Sequence, residues 1–116
     1  MLDKVMKADD NIRYATICDM DGKELGTTTR DGVTSLLNEA EHKEALQYAV
    51  NAWKIRNKFS AKLGNAHYVL AVYDNVCRLT MSLGDKYVLL LTFGPKVGVF
   101  GLFTHLQKMF HETSSS

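Results

Sequence analysis

Residues 86–93, KYVLLLTF, constrain this chain more than any other stretch. Side chains in a strand alternate between two faces, and here both faces are apolar from Tyr87 through Leu91. A strand of this kind needs cover on each side. It belongs in the middle of a sheet that carries helices on both faces, and the rest of the chain must supply its neighbours and covers.

The neighbours are legible on either side. Residues 67–73 (HYVLAVY) turn at Asp74-Asn75 into 76–83 (VCRLTMSL), which turn at Gly84-Asp85 into 86–93; three strands thus follow one another through tight turns. Nearer the N-terminus, 12–19 (IRYATICD) is β-branched and aromatic, and Asp19-Met20-Asp21-Gly22 returns the chain into a weaker strand over 24–29. Residues 2–8 make a short amphipathic turn or helix with Leu2, Val5 and Met6 on one side, broken by Asp9-Asp10-Asn11. A last helix, about 98–111, places Val99, Leu102, Phe103, Leu106 and Phe110 on one stripe. The long helix lies in between. Asn38-Glu39-Ala40-Glu41 has the pattern of a capping box, and the helix is expected to run to Leu63, with Gly64-Asn65 as a left-handed stop.

The order α-β-β-α-β-β-β-α predicts an α+β fold: a five-stranded antiparallel sheet flanked by a long central helix and shorter terminal helices. At 116 residues the chain holds one domain, expected over 1–112, with a loose tail at 113–116. Fourteen basic against 13 acidic residues leave a net charge of +1, no basic field to grip nucleic acid or an anionic membrane. The longest apolar stretch, VLLL at 88–91, is far short of the ~20 residues of a membrane span. MLDKVMKADD, with an acid at its third residue and no long apolar run, is not expected to be a signal peptide. Cys18 and Cys77, both on strands and without CxxC spacing, point to a reducing cytoplasm, although the sequence leaves a single bridge between them open.

Residues 45–59, ALQYAVNAWKIRNKF, are apolar on too many sides for an ordinary surface helix. Gln47, Asn51, Lys54, Lys58 and Lys62 fall in one narrow arc. Opposite them the apolar positions spread over roughly 200°, well beyond the ~100° stripe that docks a helix on a sheet. They form two flanks, Leu46/Val50/Trp53 and Tyr48/Ile55/Phe59, separated by a spine of Ala45, Ala49 and Ala52. One flank packs on the sheet and the other needs a second cover, either a terminal helix or another copy of the chain. Small residues let helix axes approach closely, and a self-complementary helix face favours a two-fold dimer.

Patterns that could carry chemistry are weak. A strand followed by Asp19-x-Asp21 is similar to the nucleophile motif of haloacid-dehalogenase-type phosphatases. Lys23 stands where Thr or Val is expected there, and Asp and Gly are ordinary hairpin-turn residues. No glutamate after Gly22 completes a calcium loop. Gly94-Pro95-Lys96-Val97-Gly98 enters a helix, as an anion-holding loop does, but lacks the GK[ST] ending of a nucleotide loop. His42, His67, His105 and His111 have no metal-ligand spacing. Lys54, Arg56, Lys58 and Lys62 read as a solvated face or a site for an acidic partner. No catalytic residue, metal or cofactor is expected.

The element order and the hairpin VYDNVCRLTMSLGDKYVLLLTFGPKVGVFGLF resemble the roadblock/dynein light-chain family, part of the longin- and profilin-like group, over roughly residues 2–111. Gly98 sits where that family often has a glycine at the start of its last helix. The resemblance implies a homodimer in which the long helices pack together and the strands over His67–Tyr73 join edge to edge. Its implied contact residues are Ala45, Tyr48, Ala49, Ala52, Trp53, Phe59, His67, Val69, Ala71 and Tyr73. It also implies a non-enzymatic scaffold in the cytoplasm, with a Ras-like small GTPase as one kind of partner. The rival reading from another class is a small-ligand sensor of PAS type, which needs a cavity between helix and sheet.

Overall fold

The computed structural model describes residues 2–94 and 99–115. Gly98 and the Pro95–Gly98 part of the candidate anion loop fall outside them. The strands are β1 (Ile12–Asp19), β2 (Glu24–Thr29), β3 (Tyr68–Val72), β4 (Cys77–Leu83) and β5 (Tyr87–Phe93), and the helices are α1 (Leu2–Lys7), α2 (Glu39–Asn57), α3 (Ser60–Leu63) and α4 (Val99–Ser115). The strands form one sheet in the order β2-β1-β5-β4-β3, antiparallel throughout. The strand that demanded cover on both faces, β5, is the middle one, and every residue of it after Tyr87 is buried.

Its alternation sorts the core into two layers. Leu89, Leu91 and Phe93 join Ile12, Ala15, Leu79 and Met81 beneath α1 and α4, which contribute Val5, Met6, Leu102, Phe103 and Leu106. Val88 and Leu90 join Tyr14 and Cys18 beneath Leu46, Val50 and Trp53 of α2. Cys18 and Cys77 therefore lie on opposite faces of the sheet, both as free thiols, and the bridge left open by the sequence does not form.

Local chemistry sets the ends of the elements. Gly22, at φ 83°, closes the first hairpin in a conformation that costs a side-chain-bearing residue. In that turn the Asp19 carboxylate accepts the backbone N–H groups of Asp21 (2.9 Å) and Lys23 (3.0 Å). Asn38 and Glu41 form the full capping box: the Glu41 N–H donates to Asn38 Oδ1 (2.8 Å) and the Asn38 N–H to Glu41 Oε1 (2.9 Å). Arg30, past the end of β2, donates to the carbonyls of Met6 (2.6 Å), Asp9 (3.0 Å) and Ile12 (2.7 Å). That ties the end of α1 and the turn after it to the sheet.

The long helix departs from expectation. It does not run unbroken to Leu63 but ends at Asn57, and α3 resumes at Ser60 after Phe59 leaves helical geometry (φ −100°, ψ 2°). The Ser60 hydroxyl takes the Asn57 carbonyl at 2.9 Å, and both are residue types whose side chains compete with the helical ladder. Gly64 does supply the positive φ (84°) at the stop. At the other end of the chain, α4 continues through Ser115, past the expected end near 111.

Candidate functional site

The two faces of the sheet are covered unequally. Beneath it, α1 lies against β1 and β2, while α4 reaches β3, where the rings of Phe103 and Tyr68 meet at a tilt of 40° with centroids 4.3 Å apart. Above it, among the described residues, α2 alone covers the sheet, chiefly over β1 and β5 with Trp53 reaching Thr80 of β4, and much of the β4–β3 half stays open. The walls of the resulting groove are the alanine spine of α2 (Ala45, Ala49, Ala52) with Tyr48 and Arg56 on one side and Val69, Ala71 and Tyr73 on the other. Arg78, Thr80 and Leu90 form the floor of this space of about 420 Å³.

The structure decides which flank of α2 faces where. Leu46, Val50 and Trp53 are 2%, 0% and 0% exposed, whereas Tyr48, Ile55 and Phe59 are 76%, 54% and 52% exposed. Trp53, expected at a contact with another chain, is buried on its own sheet instead. Its indole N–H donates to Thr80 Oγ1 at 2.9 Å, and the Arg56 guanidinium lies 5.4 Å from its ring centroid. A Trp ring offers large apolar area with one donor, and the half-polar strand β4 presents an acceptor at the right place. His67 also departs: it precedes β3, and its ring leans toward Phe103 of α4 (6.1 Å) rather than lining the groove. Phe59 lies past the end of α2, at the break before α3. The remaining seven expected contact residues, Ala45, Tyr48, Ala49, Ala52, Val69, Ala71 and Tyr73, are all brought together as walls of the groove.

β3 lies at the edge of the sheet and carries YVLAV, with Val72 and Tyr73 68% and 58% exposed. An apolar edge with unpaired backbone groups is a template for another strand. The opposite edge, β2, is ELGTTT and far more polar.

Other polar groups have structural roles. The Asp19 carboxylate is engaged by its own turn, where Asp21 contributes a backbone N–H. Burial, helped by the neighbouring Asp19 and Glu24 charges, pushes the Cys18 thiol up to about 11, so it stays protonated and unreactive. His42 Nε2 and Glu24 Oε1 meet at 2.8 Å and join α2 to β2; this hydrogen bond, more than anything else, holds the Glu24 carboxyl below its ordinary value. Among the described residues no helix is long and apolar enough to cross a membrane.

Sequence reasoning missed the floor of the groove. Arg78 and Thr80 alternate with Cys77, Leu79 and Met81 along β4, and that period-2 polar pattern was the available signal that this face of β4 stays open. Leu36 and Leu37, in the loop before α2, also border the open half.

No family model matches the chain, and no curated protein sequence does. Solved structures do share its fold. Gliding protein MglB from Thermus thermophilus superposes with a TM-score of 0.74 at 12% identity, over 94% of this chain and 79% of that one. A roadblock/LC7 domain from Streptomyces avermitilis gives 0.73 at 10% identity, over 98% and 92%. An MglB in a tetrameric arrangement gives 0.75 at 13% identity, over 94% and 79%. The architecture is roadblock-like.

Proposed function

We propose that two copies of this chain pair across the groove beside α2 and that the pair acts as a non-enzymatic scaffold in the cytoplasm, with a Ras-like small GTPase as its partner. The observation that carries the reading is the coincidence of three features on one side of the molecule: an alanine-walled groove, the exposed Tyr48/Ile55 flank of α2, and the unpaired apolar edge of β3. Contiguous apolar surface of this kind marks an interaction site. The tetrameric arrangement of one MglB supports an assembling fold, and the GTPase comes from the family resemblance.

The surface is self-complementary when read antiparallel. α2 has 19 residues and is about 28 Å long. A two-fold axis near residue 50 sets Tyr48 of one copy against Ala52 of the other, large into small, and Ala45 against Ile55. It also sets Glu44 against Arg56, opposite charges at opposite ends of each helix. The β3 edges then pair and remove the exposed edge of the sheet.

Sedimentation velocity on the full chain tests the pairing. A dimer at micromolar concentration is expected, converted to monomer by Ala52→Glu without loss of far-UV circular dichroism. Glu44→Arg should weaken the dimer and Arg56→Glu on top of it should restore it. A monomeric wild type overturns the proposal, as does a dimer indifferent to Ala52→Glu. The GTPase part is tested by titrating the dimer with a Ras-like GTPase of the same genome in GDP- and GTP-analogue-loaded forms; binding of neither form overturns it.

A further inference from the structure

At the N-terminal end of α2 the groove leads into a second cavity, of about 300 Å³, between the helix and the sheet. Three side chains stand in a row across its floor. Thr92 of β5 is flanked by Tyr14 of β1 on one side and Arg78 of β4 on the other, each its direct cross-strand partner. Thr92 is 3% exposed, and neither its hydroxyl nor the buried Nη2 of Arg78 has a hydrogen-bond partner among the described residues. A second guanidinium, that of Arg13, borders the cavity while donating to the Thr34 carbonyl at 2.9 Å. Among the described residues no acidic side chain lines the cavity, Glu41 and Glu44 lining the adjoining groove instead, and its remaining walls are chiefly apolar.

We propose that this cavity binds a small carboxylic acid with an apolar body. A guanidinium nitrogen buried without an acceptor is costly, so an acceptor that enters the cavity and reaches Arg78 Nη2 is favoured there. A carboxylate matches it in shape and charge, taking parallel N–H donors from one planar fork. Thr92, the cross-strand partner of Arg78, offers its hydroxyl to the same cavity as a further donor, and the apolar walls receive the body of the acid. Few convergent polar groups in a largely apolar hollow of this size are the mark of a small-molecule site. A phosphate or sulfate would ask for more donors and would leave those walls unused. The cavity is built within one copy, although Leu37, Ala45, Tyr73 and Arg78 also line the groove, so binding there does not require self-pairing. In the antiparallel pairing, moreover, the other copy brings the Arg56 end of its helix to this end of α2, not a carboxylate.

The probe is phenylacetate, titrated into the full chain and followed by calorimetry and by backbone amide shifts. Saturable binding is expected, centred on the Tyr14, Arg78 and Thr92 resonances. The neutral isostere phenylacetamide should bind roughly tenfold more weakly or worse, the scale of one lost charge-assisted bond. Arg78→Gln should lose a similar factor and Thr92→Val a smaller one. Should Arg78→Gln fail to fold, the acid-to-amide ratio and Thr92→Val still decide the matter. Equal binding of acid and amide overturns the proposal, as does a response no stronger than that to inorganic phosphate. So does the absence of saturable shifts at concentrations on the order of 10 mM, including the case in which only an acidic peptide binds.

Discussion

The two faces of this sheet are made from the same five strands, yet only one of them is finished. On the α1/α4 face two helices share the work, and Leu89, Leu91, Phe93 and Leu106 are all fully buried. On the other face one helix covers the β1–β5 half, and the residues left in the open are of a different kind. Val69, Ala71 and Tyr73 mix with Arg78 and Thr80. A core has no use for an unpaired arginine, whereas a contact surface does. The contrast shows that the open half is not a core left short of apolar residues. Its mixture of apolar and polar side chains is the composition that the proposed pairing needs.

Substitutions on the two faces should separate them. Leu89→Ala, on the finished face, should cost about 2–5 kcal/mol in chemical denaturation, because it empties a fully buried site at the centre of the sheet. A cost below about 1 kcal/mol would mean that this face is as loosely filled as the other. Trp53→Phe, on the covered half of the α2 face, should cost about 1–3 kcal/mol, since it removes the indole donor from Thr80 along with packing volume. Tyr48→Ser, on the open half, should leave the stability of the isolated monomer within about 0.5 kcal/mol. It should abolish any dependence of the unfolding midpoint on protein concentration. A large loss of monomer stability would show that Tyr48 belongs to the core after all.

The smallest effect is at the seam between α2 and β2. His42 holds the Glu24 carboxyl below its ordinary value of 4.5 by a hydrogen bond. A carboxyl with a lowered folded-state value contributes stability above its unfolded value and loses it as the pH falls through the folded one. Stability should therefore decline below about pH 4.5, and Glu24→Gln should remove that part of the acid dependence. The group is largely exposed, so solvent screening keeps its share to a few tenths of a kcal/mol. A wild type and Glu24→Gln with the same acid limb would show that the pair is idle.

Much of this was readable in advance because it rests on short-range rules. Asn38 and Glu41 are three residues apart and bond as a capping box wherever a helix starts there. Gly22 and Asp19 serve the hairpin through contacts within four residues. The Tyr87–Leu91 run placed β5 in the middle of the sheet because both of its faces demanded burial. The break at Phe59 was missed because it depends on one hydroxyl finding one carbonyl, a choice that hydrophobic periodicity does not register.

The sequence by itself determined the elements, their order, the central strand and the surplus of apolar surface on α2. These follow from periodicity, turn chemistry and composition, all properties of neighbouring residues. The tertiary structure alone decided how that surplus is spent. It put Leu46, Val50 and Trp53 inward, with the indole N–H donating to Thr80, and Tyr48 and Ile55 outward. It left the alanine spine facing an open half-sheet, because α4 crosses to the other face to cover β3 and β4. The meeting of Tyr14, Thr92 and Arg78 is likewise a matter of strand register. Side chains from three strands share that floor only because β5 runs between β1 and β4, a pairing over long stretches of chain that no local pattern records.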